Sequence, residues 1–148
     1  MNKRISLLIL LLIILIIIIL FSIGSTVLTK NIFEIPIGNI IVWIGFISIQ
    51  LFVFTVNNRF KKSSSFIGKL IRYAMIVLVV VSILWFGIAY VLSGNVKFNF
   101  SSNAKGYLGS PKASILYWYI IYTLVIAPII LMISYSLLRY FERIKGSK

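Results

Sequence analysis

Four long apolar runs constrain this chain more than any other feature. They cover residues 5–24, 37–56, 70–92 and 114–138, and Arg72 is the only Lys, Arg, Asp or Glu inside them. Because an α-helix rises about 1.5 Å per residue, about 20 residues cross a hydrocarbon core about 30 Å thick. The sequence therefore predicts an all-α, polytopic membrane protein, with one domain over residues 1–148 that consists of a four-transmembrane-helix bundle.

The basic residues lie mostly on one side of the predicted bundle. The chain has 15 Lys and Arg against 2 acids. Eleven of these cations lie before the first run, in or just after the inner loop at 57–69, and in the tail at 139–148, whereas four lie in the outer connections 25–36 and 93–113. The positive-inside rule then predicts that both termini are cytoplasmic.

The net charge of +13 also bears on partners. In a soluble protein such an excess would suggest nucleic acid, but beside a membrane it favours anionic headgroups. We expect no nucleic-acid partner. The bias toward Ile, Lys and Asn indicates a bacterial plasma membrane as the location.

The first run resembles a signal peptide in one respect. Ser22-Ile23-Gly24 has the small-x-small pattern of a cleavage site. The apolar stretch from Ile5 to Phe21 is longer than the usual core of a signal peptide, which favours an uncleaved helix. Cleavage would leave three spans and an external N-terminus.

The inner loop mixes cations with aromatic and aliphatic residues, a composition that favours a segment lying along the lipid surface. Phosphorylation of the serines at 63–65 would weaken that attachment, and the alternative is a passive loop that only sets orientation. The candidate contacts to lipid headgroups are Arg59, Lys61, Lys62, Lys69 and Arg72.

The connection at 93–113 is the longest and carries three lysines and no acid. Residues 96–100 alternate apolar and polar side chains, which predicts a short strand or hairpin. This loop is the candidate surface for an external partner, the alternative being a connector whose rings rest at the membrane interface. The candidate partner-binding residues are Lys97, Phe98, Phe100, Lys105 and Tyr107.

Two residues inside the spans stand out. Gln50 is the one amide well inside a span, and it either bonds to another helix or lines a polar site. Pro128 lacks the N–H that would bond to residue 124, so it predicts a kink, which serves packing or gating. A neighbouring helix can satisfy the carbonyl that such a proline leaves without a partner.

Histidine and cysteine are both absent, so we expect no enzyme, no metal site and no cofactor. The favoured function is a small membrane accessory, regulatory or immunity-type protein that docks its helices or outer loop on a protein partner. One alternative is a homo-oligomeric, holin-like pore or a transporter subunit. A second is the binding of lipid or an apolar ligand between helices.

Overall fold

A computed structural model describes residues 2–60, 63, 65–98, 100 and 106–145. Within them the chain is helical, and each of the four long helices is long and apolar enough to cross a membrane, as the sequence predicts. The helices are α1 (Lys3–Ser22), α2 (Ile37–Val56), α3 (Phe66–Ser93) and α4 (Pro111–Lys145).

The helix bounds differ from the apolar runs at several ends: α1 ends at Ser22, before the predicted residue 24, while other helices continue beyond their apolar residues. The bounds of α2 coincide with the predicted 37–56, while α3 begins at Phe66 and not at residue 70. The Ser65 side chain accepts a hydrogen bond from the Gly68 N–H and caps α3 there. Likewise α4 continues past residue 138 to Lys145. Apolarity thus marks the part of a helix suited to lipid, and in α3 the serine cap marks where the helix begins.

The connection from α1 to α2 contains a 3₁₀ helix, Thr26–Thr29, and a minimal hairpin. Strand β1 (Asn31–Ile32) pairs antiparallel with β2 (Ile35–Pro36), with Ile32 opposite Ile35. The extended Ile35-Pro36 pair agrees with the restriction that proline places on the preceding residue.

The predicted strand at 96–100 is wrong for the described part of that segment. Val96, Lys97 and Phe98 form a turn. The Asn95 side chain accepts a hydrogen bond from the Lys97 N–H at 2.6 Å, and this bond closes an Asx turn that the alternation of side chains does not reveal.

Helix α2 lies at the centre of the fold and packs against the other three helices. The core lies between α2, α3 and α4, where Phe46 meets Trp85 edge to face with ring centroids 5.2 Å apart. By contrast, α1 has no buried residue and packs chiefly on α2, where Ile17 lies over Gly45. We call the end carrying the hairpin and the 93–113 connection the outer end, and the opposite end the inner end.

Candidate functional site

The bundle interior holds a hydrogen bond between a side chain of α2 and the main chain of α4. Gln50 is fully buried, and its Nε2 donates to the carbonyl oxygen of Leu124 at 2.6 Å. Leu124 lies four residues before Pro128, so proline leaves this carbonyl without its helical donor. Gln50 replaces that donor. The contact favours the packing interpretation of both residues that stand out in the sequence.

A second bond joins α2 to α3. The indole Nε1 of Trp43 lies 3.1 Å from the carbonyl oxygen of Ser82 and 3.0 Å from that of Ile83 and donates to both. The buried hydroxyl of Ser82 donates to the carbonyl of Val79 in its own helix. Gln50, Trp43 and Ser82 therefore all donate to main-chain oxygens, as expected where water cannot compete.

The candidate partner-binding aromatics pack onto the outer end of the bundle. The centroid of the Phe98 ring lies 5.1 Å from the ring centroid of Tyr107 and 5.8 Å from that of Tyr117. The Tyr107 hydroxyl donates to the Leu92 carbonyl at 2.6 Å, and burial raises the pKa of Tyr107. Asn39 of α2 donates to the Val96 carbonyl. These contacts fix the start and the end of the connection to α2 and α3.

The remaining candidates of this loop lie in different surroundings. Phe100 meets Phe21 of α1 edge to face, with ring centroids 5.9 Å apart. A Cβ on Gly38 would lie 2.5 Å from the Phe100 ring and 2.8 Å from the Leu28 carbonyl oxygen, so the ring requires glycine there. Lys97 forms an ion pair with Glu34 at 3.3 Å. Lys105 lies outside the described residues.

The hairpin presents an exposed aromatic ring that the sequence analysis missed. Phe33 and Glu34 form its two-residue turn, with φ of 47° and 66°. This left-handed region is where such turns place Asn or Gly, and bulky residues are rare there. Phe33 is 95% exposed. No Asn-Gly or Asp-Gly pair signals this turn, and the only sequence cue is the extended Ile35-Pro36 pair beside it.

The candidate lipid contacts lie at the inner end. Arg59 is in the short 3₁₀ helix Asn58–Phe60, and Lys61 and Lys62 lie outside the described residues. Lys69 is exposed in the first turn of α3. Arg72 is half-buried one turn later, and its Nε has no hydrogen-bond partner among the described residues.

A polar clamp joins the inner loop to the end of α4. The buried Ser63 hydroxyl donates to Glu142, whose other carboxylate oxygen lies 2.9 Å from the Arg139 guanidinium. Glu142 lies four residues beyond the apolar run that ends at residue 138. The Ser63 hydrogen bond, followed by those from Ser65 and Arg139, lowers the pKa of the Glu142 carboxyl.

An apolar groove of about 450 Å³ lies between α1, α2 and α4 in the outer half of the bundle. Helix α2 forms its floor, α1 and α4 form its walls, and the Phe100 ring lies at its outer end. It is lined by Ile17, Phe21, Val42, Gly45, Phe46, Ile49, Phe100, Trp118 and Ile121.

Among the described residues, the features that could contact other molecules include the turn of the hairpin at Phe33 and Glu34, the apolar groove between α1, α2 and α4, and the inner basic end. Comparison of the chain with protein-family models, with curated proteins and with solved structures gives no match.

Proposed function

We propose that this protein is a small integral-membrane accessory, regulatory or immunity-type protein that docks on a protein partner and catalyses no reaction. The observation that carries the proposal is the hairpin tip, which we define as Phe33 and Glu34. It holds a large apolar ring almost fully exposed on a backbone that bulky side chains rarely adopt.

The strained backbone of the hairpin tip supports a docking role. A left-handed conformation costs an L-residue about 1–2 kcal/mol, and exposed Phe33 gains no burial to offset it. Contact with a partner would bury much of the ring, which has an area of about 150–250 Å². The strand pairing and the ion pair of Glu34 with Lys97 hold the turn in this conformation, and strained residues held by their surroundings are typical of functional positions.

The ion pair beside the tip connects it to the loop that the sequence singled out. Lys97 Nζ lies 3.3 Å from the Glu34 carboxylate, so the turn of the hairpin is held next to the start of the 93–113 connection. Phe98 and Tyr107 support this arrangement from below by packing on Tyr117. In our proposal these two rings position the docking surface, and Phe33 contacts the partner.

We further propose that the protein is a multi-pass protein of a bacterial plasma membrane with both termini in the cytoplasm. The cations concentrated near the termini and the inner loop support this orientation. The hairpin tip would then face the outside. A reporter fused after Lys148 that is active only outside the cytoplasm should therefore be silent.

An oligomeric pore or transporter subunit is the main alternative. Such a protein requires polar side chains along a water-filled path. Gln50, the amide best placed for that purpose, is fully buried and bonded to Leu124 of the same chain. The observed contact therefore supports the accessory role over the pore.

The test is site-specific cross-linking in the native host. A photo-reactive phenylalanine analogue replaces Phe33 in one variant and Phe66 in another, because Phe66 is also strongly exposed but lies at the inner end. We expect one stoichiometric protein adduct from position 33 and none of that mass from position 66. Phe33→Ser should also remove this partner from the complex isolated in mild detergent, whereas Phe66→Ser should retain it.

Two outcomes would overturn the proposal. If position 33 forms adducts with lipid only, the ring is a membrane anchor. If the isolated protein is a homo-oligomer that conducts ions and Phe33→Ser does not change its conductance, the pore is the better interpretation.

A further inference from the structure

We infer that the groove between α1, α2 and α4 holds one acyl chain of an anionic phospholipid drawn from the leaflet at the outer end. This site does not depend on the docking of a protein partner. The inference rests on the depth of the groove, its shape, its lining and the charge at the outer end of the bundle.

The depth of the groove matches that of a lipid tail. Its floor extends from Val42 to Ile49 on α2, and α2 begins at Ile37. At about 1.5 Å per residue, the floor lies about 8–18 Å from the outer end of this helix, so it reaches about the middle of a hydrocarbon core about 30 Å thick.

The groove exists because α1 packs chiefly on α2 and not on α4. Gly45 on the floor lets Ile17 come close, since a Cβ there would lie 3.3 Å from the Ile17 Cδ1 atom. On the other wall, Trp118 and Ile121 of α4 face the space. The result is a recess open to the lipid on one side, with a volume in the range of about 300–1,000 Å³ that ligand pockets occupy.

Two aromatic rings lie at the outer end of the groove. Phe100 lies edge to face on Phe21, and Gly38 provides the space for the Phe100 ring. Phe100 therefore ties the 93–113 connection to α1 at the point where a headgroup would meet the tail. A chain inside the groove would contact mostly apolar side chains.

The charge at this end favours an anionic headgroup. Among the described residues of the two outer connections and the start of α4, the ionised side chains are Lys30, Glu34, Lys97 and Lys112. Lys97 and Glu34 pair with each other, while Lys30 and Lys112 are exposed. Cations at a membrane surface attract anionic lipid.

The experiment measures lipid retained by the full-length protein after reconstitution with phosphatidylcholine and phosphatidylglycerol, mild detergent extraction and native mass spectrometry. Val42→Trp fills the groove. Val77→Trp is the matched control, because Val77 lines a different apolar groove of about 390 Å³ between α3 and α4. In Val42→Trp the acyl chain should lose the burial of about two methylenes, so the amount of retained lipid should fall about tenfold. In Val77→Trp the amount of retained lipid should change little.

The headgroup part of the proposal has its own variant. Lys30→Gln combined with Lys112→Gln should reduce the preference for phosphatidylglycerol over phosphatidylcholine while a chain is still retained. Equal retention of both lipids by the wild-type protein would overturn the anionic assignment.

A second measurement applies if Val42→Trp fails to fold. Phospholipid brominated in the middle of its chain, present as a minor component of the vesicles, should quench wild-type fluorescence more than random contact predicts, and Trp118→Phe should remove this excess. Quenching at the random level would overturn the groove as a lipid site. So would the absence of retained lipid, or equal loss in the Val42 and Val77 variants.

Discussion

Helices α1 and α2 differ in burial in the opposite sense to helices of a soluble protein. Helix α1 is the most apolar of the four, yet none of its residues is buried. Helix α2 has a lower mean hydropathy than α1 over its most apolar 18 residues, yet it has seven buried residues, of which three are polar. The polar ones are Asn39, Ser48 and Gln50. In lipid, apolarity decides whether a helix enters the membrane, while small, polar and aromatic residues decide where it packs.

The largest expected effect contrasts the same substitution in the core and in α1. Leu124 is fully buried and Leu12 is 49% exposed. Leu124→Ala should lower the free energy of unfolding by about 2–5 kcal/mol, because it leaves a cavity. Leu12→Ala should change it by less than about 0.5 kcal/mol, since Leu12 has the character of a surface residue.

Titration with a denaturing detergent in mixed micelles measures both values. Equal losses at the two positions would contradict the comparison, because they would mean that α1 is packed as tightly as the bundle.

Glycine substitutions compare a tightly packed position with an exposed one by adding a single carbon atom. A Cβ at Gly38 would meet the Phe100 ring and the Leu28 carbonyl, whereas a Cβ at Gly87 in α3 meets nothing within 4 Å. Gly38→Ala should destabilise the protein by about 1–3 kcal/mol through overpacking. Gly87→Ala should be neutral or stabilising, because alanine favours a helix.

Proteolysis within the 93–113 connection gives a second readout of these variants. Gly38→Ala should speed cleavage there, because the new Cβ displaces the Phe100 ring from the surface of α2. Gly87→Ala should not change the cleavage rate. Similar cleavage rates in both variants would show that Phe100 does not hold this connection to the bundle.

The next prediction concerns the hydrogen bond from Gln50 to the Leu124 carbonyl, which replaces a backbone bond within α4. Gln50→Leu should destabilise the protein by about 1–2 kcal/mol, since the buried Leu124 carbonyl loses its donor. Pro128→Ala restores a backbone N–H four residues after Leu124. In the Pro128→Ala background, Gln50→Leu should therefore cost less.

A double-mutant cycle on unfolding free energies measures this coupling. Ser136→Ala is the control, because the Ser136 hydroxyl bonds only to Met132 in its own helix among the described contacts. Strict additivity of the Gln50 and Pro128 substitutions would contradict the proposed compensation.

The sequence predicted that Gln50 needs a partner and that Pro128 leaves a carbonyl without its donor, but not that these two groups bind each other. Lack of an N–H at Pro128 and the need of Gln50 for a partner both follow from the residue types. Which donor reaches which carbonyl depends on the depth and rotation of α2 relative to α4. Those quantities are set by packing along both helices, and no local pattern of residues encodes them.

The outer end was harder to predict, for a different reason. The alternation at 96–100 indicated a strand, but the Asn95 side chain bonds to the Lys97 N–H and makes a turn. At the hairpin tip, Phe33 and Glu34 take positive φ without the residues that usually signal it. Contacts beyond the segment, such as Lys97 with Glu34, help to fix both conformations.

The smallest expected effect is the pH dependence of stability due to the polar clamp of Ser63, Glu142 and Arg139. Water competes with these polar contacts. The Ser63 hydrogen bond lowers the pKa of Glu142 in the folded state, so ionised Glu142 stabilises the fold above the ordinary carboxyl pKa, and this stabilisation is lost as the pH falls below it. Glu142→Gln should therefore lower the unfolding midpoint at neutral pH and do so less at about pH 4. Ser63→Ala, which removes the largest cause of the shift, should flatten the pH dependence in the same way. A difference between wild type and Glu142→Gln that stays constant with pH would show that the clamp acts through its shape and not its charge.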